Sequence, residues 1–454
     1  MTSHAGERGC RVRPRPATQM IPSVERYFRF KELGTDLRTE VLAGFTTFLT
    51  MAYIVFVNPS ILRDAGVPAA GAMAATCISA AAGSLMMGLF AKYPIALAPG
   101  MGLNAYFTYT VVKGMGVPWQ VALGAVFLSG VAFVLLTAFG IRQLILSALP
   151  HELYASVAAG IGLFIAFVGL RNAGIIVTNP ATSVALGDLT KPETLLALFG
   201  LLLIGVLMAR RVRAAMLIGI LATAVVGAAA GLVRWQPHPF SWADATSAAL
   251  KLDVRGALGI GLIEIVFVFL FVDLFDNIGT LIGVAKKAGL IDQSGEIPRV
   301  GRIMLTDAAA TITGSLTGTS TVVSYIESAA GVVAGGRSGL TAVVVGLLFF
   351  AALFVAPLVG FIPSAATAPA LIVVGSLMAT TISELRWDDY TVALPAFLTM
   401  ITIPLSFSIA NGIAFGFIAY TAVKVLAGQR RNVSWLVYLL TALFVLRFAY
   451  LGAG

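Results

Sequence analysis

The sequence predicts an all-α polytopic membrane protein, and three observations predict it. Of its 454 residues, 58% are hydrophobic and 11% are charged, where a soluble domain carries roughly 25% charged residues. The apolar excess runs the whole length in stretches long enough to cross a bilayer, with a mean hydropathy of +0.93. Three carboxylates interrupt such stretches: Asp273 and Asp276 in residues 259–285, and Glu327 in residues 318–336. An acid at the middle of a membrane helix costs roughly 2.5–3.5 kcal/mol on insertion scales, so it normally faces a bundle interior or a water-filled cavity and marks a substrate or ion path.

Along the chain, residues 1–23 are rich in Arg and Pro and lack the apolar core of a signal peptide. They read as a disordered cytoplasmic N-terminus. Residues 24–38 read as an amphipathic lead-in on the inner membrane surface, with Phe28 and Phe30 as interface anchors. Spans are expected near 39–58, 70–90, 95–112, 119–140, 148–170, 194–209 and 213–233, a first series within residues 24–234. A polar connection on the outer side, residues 235–258, holds Pro237, Pro239, Trp235 and Trp242, the tryptophans again as interface anchors. A second series within residues 259–428 follows near 259–285, 301–316, 318–335, 338–356, 364–381, 390–404 and 408–427. An apolar stretch at 433–450 lies in the C-terminal segment 429–454.

Charge supports this map. With the N-terminus inside, the expected inner loops and tail hold 21 of the 30 Lys and Arg, and the expected outer loops hold seven. Positive residues collect on the cytoplasmic side of membrane proteins, so the excess fits a multi-pass cell-membrane protein with a cytoplasmic N-terminus. It also accounts for the net charge of +9 without nucleic acid, for which no aromatic-interleaved basic stripe exists. Cys10, Cys77, His4, His151 and His238 give no disulfide or metal spacing. No metalloprotease, nucleophile-elbow or P-loop pattern suggests an enzyme, and nothing calls for a cofactor.

Seven spans in the first series start the second from the opposite side, which makes the halves inverted repeats of seven. The third segment of each half is unusual. The first, YPIALAPGMGLNAYFTYTV, is interrupted by Pro99, Gly100 and Gly102; the second, GTSTVVSYIESAAGVVAGG, is short and rich in Ser, Thr and Gly. Paired, interrupted segments at matching positions point to a midplane binding site in secondary transporters. A broken span exposes backbone N–H groups, tolerable in a bilayer only where they line a cavity. Asn104 follows the first break and Glu327 the second, while Asp273 and Asp276 are three apart and share a helix face. If the two breaks meet, these four residues surround one pocket. Two aspartates so close do not both ionise easily, so one can carry a proton.

These residues lie in stretches that resemble the AzgA-like branch of the nucleobase–cation symporters: TEVLAGFTTFLTMAYIVFVNPSIL (39–62), YPIALAPGMGLNAYF (93–107), FVDLFDNIGTLIGVAKKAGL (271–290) and GTSTVVSYIESAAGVVAGGRSGLTAVVVG (318–346). The resemblance covers about residues 24–428. It implies a uracil-permease-like fold of about 14 segments divided into core and gate domains, with short strands in the broken third and tenth segments. It implies proton-coupled import of adenine, guanine or hypoxanthine by an elevator type of alternating access, and leaves a homodimer open. Carried over by motif, Asn104, Asp273 and Glu327 bind substrate, and Asp276, with Asp273 and Glu327, serves coupling or site support. Val323 stands where the resemblance leads one to expect a small polar residue. The partners implied are a purine base, protons and the lipid bilayer.

Other readings stand beside this one. Glu327 could cap its half-helix, and Asp276 could make a helix–helix hydrogen bond. Asp307 reads as structural or interfacial, and Glu264, near the outer end of its helix, as solvated. A same-fold carrier of uracil, xanthine or an anion is the nearest alternative function. A channel would need a continuous polar pore or charged rings, whereas here the polar residues cluster near the middle of apolar helices.

Overall fold

The computed structural model describes residues 22–139, 150–232, 241–259, 263–288, 290, 297–354 and 362–451. The expectations for the first 20 residues, for Cys10, His4 and His238, and for Trp235, Pro237 and Pro239 fall outside them. The protein is mostly helical, and each apolar stretch named above contains a helix. Among the described residues, seven helices are long and apolar enough to cross a membrane. The chain enters through two short helices, Pro22–Tyr27 and Phe30–Leu33. Phe28 and Phe30 are 7% and 3% exposed and stack on each other. They pack into the protein and are not interface anchors, because the left-handed Arg29 between them turns the lead-in back on itself.

The first long segment starts at an Asp36 N-cap, whose carboxylate accepts from the Thr39 amide at 3.0 Å. It runs as Leu37–Met51 and, after a break at Ala52–Tyr53, as Ile54–Asp64. Helices from both halves of the sequence then sort into two packed groups. In one, Leu37–Met51 and Ala69–Met86 pack on Gly339–Ala352, Ile54–Asp64 packs on Ala69–Met86, and Trp119–Ala138 packs on Ile263–Ala288 and Val300–Thr317; both interrupted segments, through residues 97–99 and 322–324, pack on helices of this group. In the other, His151–Asn172 is central, against Ser364–Met378, Tyr390–Ser406 and Ile409–Leu426, with Pro192–Ala209 and Ala215–Ala229 alongside. The last helix, Trp435–Leu451, runs antiparallel to Ile409–Leu426. Thr441 contacts Thr421 and the Phe417 carbonyl, while Arg447 near its far end reaches Asn411.

Four short strands interrupt the helices, two of them in the broken third and tenth segments where short strands are expected. β1 (Leu97–Pro99), β2 (Ile176–Asn179), β3 (Ser183–Leu186) and β4 (Val322–Ser324) form two antiparallel pairs, β1 with β4 and β2 with β3. The β2–β3 hairpin lies in the loop after His151–Asn172 and was not expected. Asn179 closes its turn by accepting from the amides of Ala181 and Thr182, an Asx-type turn. Glu264 also departs from expectation. Instead of being solvated, it ion-pairs with Arg447 at 2.7 Å, its side chain 20% exposed.

Candidate functional site

The two interrupted segments meet. β1 pairs with β4 in the register Leu97↔Ser324, Ala98↔Val323 and Pro99↔Val322, extended by Gly100 N to Thr321 O and Tyr325 N to Ala96 O, both 3.0 Å. A two-stranded ribbon leaves edges that would be unpaired in an apolar medium. Side chains serve them here. The Ser84 hydroxyl bonds both the amide and the carbonyl of Leu97, Ser328 Oγ accepts from the Ala96 amide, and the Tyr325 hydroxyl donates to Pro99 O at 2.6 Å. Each strand feeds a short helix, Met101–Ala105 after Gly100 and Ser328–Val333 after Glu327. The first continues as the wider turn Tyr106–Gly114.

An open cavity, about 430 Å³ with solvent-open space included, lies beside this crossing. Asp276 and Thr280, one turn apart on Ile263–Ala288, form one wall, and Glu327 and Tyr53 another. The backbone around Gly100–Gly102 and Val323–Ile326 makes the floor, and Val374 and Met378 of Ser364–Met378 close the far side. Among the described residues, no Lys, Arg or His lines it. Asp276 and Glu327 are both partly exposed to it, and Tyr53 donates its hydroxyl to Glu327 Oε1 at 2.9 Å. Glu327 does not cap its own half-helix.

Of the four residues singled out from sequence, the structure brings Asp276 and Glu327 to the cavity and sets Asp273 and Asn104 behind it. Asp273, 1% exposed, accepts from Asn277 Nδ2 at 2.7 Å and Thr311 Oγ1 at 3.2 Å. Asn277 also donates to Asp307 and accepts from the Ser324 amide of β4 at 2.9 Å, while Ser324 Oγ donates to Asp307 at 3.1 Å. This network joins the aspartate helix, Val300–Thr317 and β4. Asp307 is fully buried within it, in keeping with a structural role. Asn104, fully buried, donates to Asn58 Oδ1 and accepts from Ser320 Oγ. Asn58 in turn donates to Thr76 at 2.7 Å and Thr319 at 3.0 Å. Thus Asn104 ties the first broken segment to the loop that leads into the second.

Sequence reading missed Tyr53, Asn58 and Asn277. Asn58 and Asn277 carry the signal that marked the aspartates, a polar side chain in an apolar span, and Asn277 lies one turn from Asp273. Tyr53 gives no such signal, since tyrosine is common in membrane helices. Among the described residues, no group of three or more His, Cys, Asp or Glu is placed to hold a metal ion.

The Xan_ur_permease model, described as a permease family, matches residues 38–440. The adenine permease AdeP of Escherichia coli is 46% identical over 430 residues, covering 95% of this chain and 97% of that protein. The guanine/hypoxanthine permease PbuG of Bacillus subtilis is 46% identical over 440 residues, covering 94% and 100%. The fold is also that of the transmembrane domain of the cyanobacterial bicarbonate transporter BicA, with a TM-score of 0.64 at 14% identity over 82% of this chain and 97% of that one. With paired broken segments around a polar cavity and relatives matched over nearly their full length, the chain is a multi-pass membrane protein that belongs to this permease family, in the AzgA-like branch its motifs resemble.

Proposed function

We propose that this protein imports purine nucleobases by proton symport, holding the base in the cavity between Asp276 and Glu327. One observation carries the reading: two carboxylates from different elements face a cavity that, among the described residues, has no cationic lining. Carboxylates accept hydrogen bonds, so they suit the ring and exocyclic N–H groups of a neutral, flat base. An anion would meet two negative groups and nothing to offset them, which disfavours the bicarbonate-like reading that fold similarity alone would allow. The permeases named for adenine and for guanine and hypoxanthine support the purine class. Asp273 and Asn104 belong to the same binding machinery, acting in this conformation through the networks that hold the aspartate helix and the first half-helix. Protonation of a cavity carboxylate lowers the cost of moving the loaded site through a low-dielectric environment.

The wider plan is part of the proposal. Fourteen segments form two inverted repeats, residues 24–234 and 259–428, in a plasma membrane with the N-terminus cytoplasmic. The group holding both broken segments is the core and moves against the other, the gate. The test is uptake of radiolabelled adenine, guanine and hypoxanthine in cells lacking their own purine permeases, at pH 5.5 and 7.5. Saturable uptake, faster at pH 5.5, is expected, with collapse on adding an uncoupler. Glu327→Gln, Asp276→Asn and Asp273→Asn should each abolish it at normal membrane levels. No uptake of any purine by well-expressed protein would overturn the assignment.

A further inference from the structure

Glu327 is held by a residue from the far end of the sequence. Its carboxylate has one side-chain partner among the described residues, the Tyr53 hydroxyl, 274 positions away, at 2.9 Å on Oε1. Tyr53 sits where the first long segment breaks between Met51 and Ile54. Its ring is 1% exposed and forms part of the cavity wall. The other tyrosine at the cavity, Tyr325, commits its hydroxyl to Pro99 O. Tyr53 is therefore the donor that fixes Glu327. A phenol keeps its proton at neutral pH, so it always donates, and an O–H···carboxylate bond is a strong one. With Oε1 engaged by Tyr53, the carboxylate of Glu327, which lines the cavity, keeps acceptor capacity for a ligand.

We infer that Tyr53 is a positioning residue for ligand recognition: it orients Glu327 so that its carboxylate accepts from an N–H of the bound nucleobase. The inference rests on the proposed function, and its test separates the two. Equilibrium binding of tritiated adenine and hypoxanthine is measured on the purified full chain for wild type, Tyr53→Phe, Glu327→Gln and the double variant. Tyr53→Phe keeps the ring and removes the one hydrogen bond. It should weaken binding about tenfold, the order expected for a hydrogen bond to a charged group. In uptake it should raise KM and leave the maximal rate near wild type, a split that general loss of structure would not give. Because Tyr53 acts through Glu327, the double variant should bind no more weakly than Glu327→Gln alone.

If Tyr53→Phe is not monodisperse, Tyr53→His carries the same comparison with a ring and an N–H donor, and partial recovery of affinity is expected. Wild-type affinity in Tyr53→Phe, or losses that multiply in the double variant, would overturn the positioning role while leaving purine transport standing. Wild-type protein that binds neither base would remove the proposed function, and the inference with it.

Discussion

The Arg447–Glu264 pair offers a quantitative check on how the last helix is seated. Arg447 Nε lies 2.7 Å from Glu264 Oε2, with side chains 11% and 20% exposed. Arg447 also donates to Asn411 Oδ1 at 3.0 Å and lies over the Phe448 ring at 5.0 Å. Phe267, Phe271, Phe417 and Phe444 form ring contacts beside it, binding the aspartate helix to the C-terminal pair. With both side chains mostly buried, solvent only partly replaces either charge. Removing one partner of a buried pair costs about 3–5 kcal/mol, whereas replacing both with apolar side chains is often neutral. The residual exposure puts Glu264→Leu at the lower end, about 3 kcal/mol, and Arg447→Met similar or slightly less, because the Glu264 side chain is the more exposed of the two. For a chain of 454 residues, that corresponds to roughly a 3 °C fall in midpoint. The assay is fluorescence-detected size exclusion after heating at a fixed schedule, since unfolding from detergent is read as a rate-dependent midpoint. Each single variant should fall by several degrees, and Glu264→Leu/Arg447→Met should return to near wild type. A double variant that loses the sum of the two single effects would refute the pairing.

Two further outcomes follow from close approaches. A Cβ on Gly102 would lie 2.6 Å from Ile161 Cγ2 of the second helix group, so Gly102→Ala should impair uptake through overpacking of about 1–3 kcal/mol; Ile161→Ala in the same chain should restore it. Buried Glu40 accepts from the amides of Arg337 at 2.8 Å and Ser338 at 3.0 Å on one oxygen, and from Thr341 Oγ1 at 2.6 Å on the other. Glu40→Ala leaves two buried N–H groups unpaired, about 4 kcal/mol at 1–3 each. Glu40→Gln keeps a carbonyl for both and should retain most of the thermal midpoint in the heating assay.

What the sequence made legible follows from what is local. The breaks at Pro99–Gly100 and in the Ser/Thr-rich run before Glu327 are short-range signals, and strands and half-helices formed at both. The three acids were conspicuous because a charge in an apolar span has few explanations. How those acids divide was not legible. Asp273 and Asp276 share a helix face by spacing, but the neighbours decide which sees the cavity. Thr311 and Asn277 claim Asp273, and Asp276 is left toward Glu327. Asn104 was marked by its place after the break, yet its partner Asn58 comes from the preceding long segment. Contacts such as Tyr53 with Glu327 and Glu264 with Arg447 join residues far apart in sequence, and no periodicity encodes them. Phe28 and Phe30 misled because an aromatic at a membrane boundary and one folded inward have the same local pattern.

The two polar networks explain why irregular backbone is stable at this depth, and they bear on how the site can move. In one network near the β1–β4 ribbon, Asn104, Asn58, Thr76, Thr319 and Ser320 exchange hydrogen bonds; in a second, Asp273, Asn277, Asp307, Thr311 and Ser324 do. Each side chain that would be costly alone becomes part of a satisfied set, and every member belongs to the helix group that holds both broken segments. Breaking into either network would leave buried donors or acceptors unpaired, at about 1–3 kcal/mol per group. Two of the residues lining the cavity are different. Val374 and Met378 come from the second group and face the site with apolar atoms alone. Displacement there exchanges dispersion contacts worth about 0.1–0.2 kcal/mol per atom pair, and such contacts re-form in a new register. Under the proposed motion of one group against the other, these energetics would keep the site's own geometry while the apolar contacts at Val374 and Met378 are exchanged.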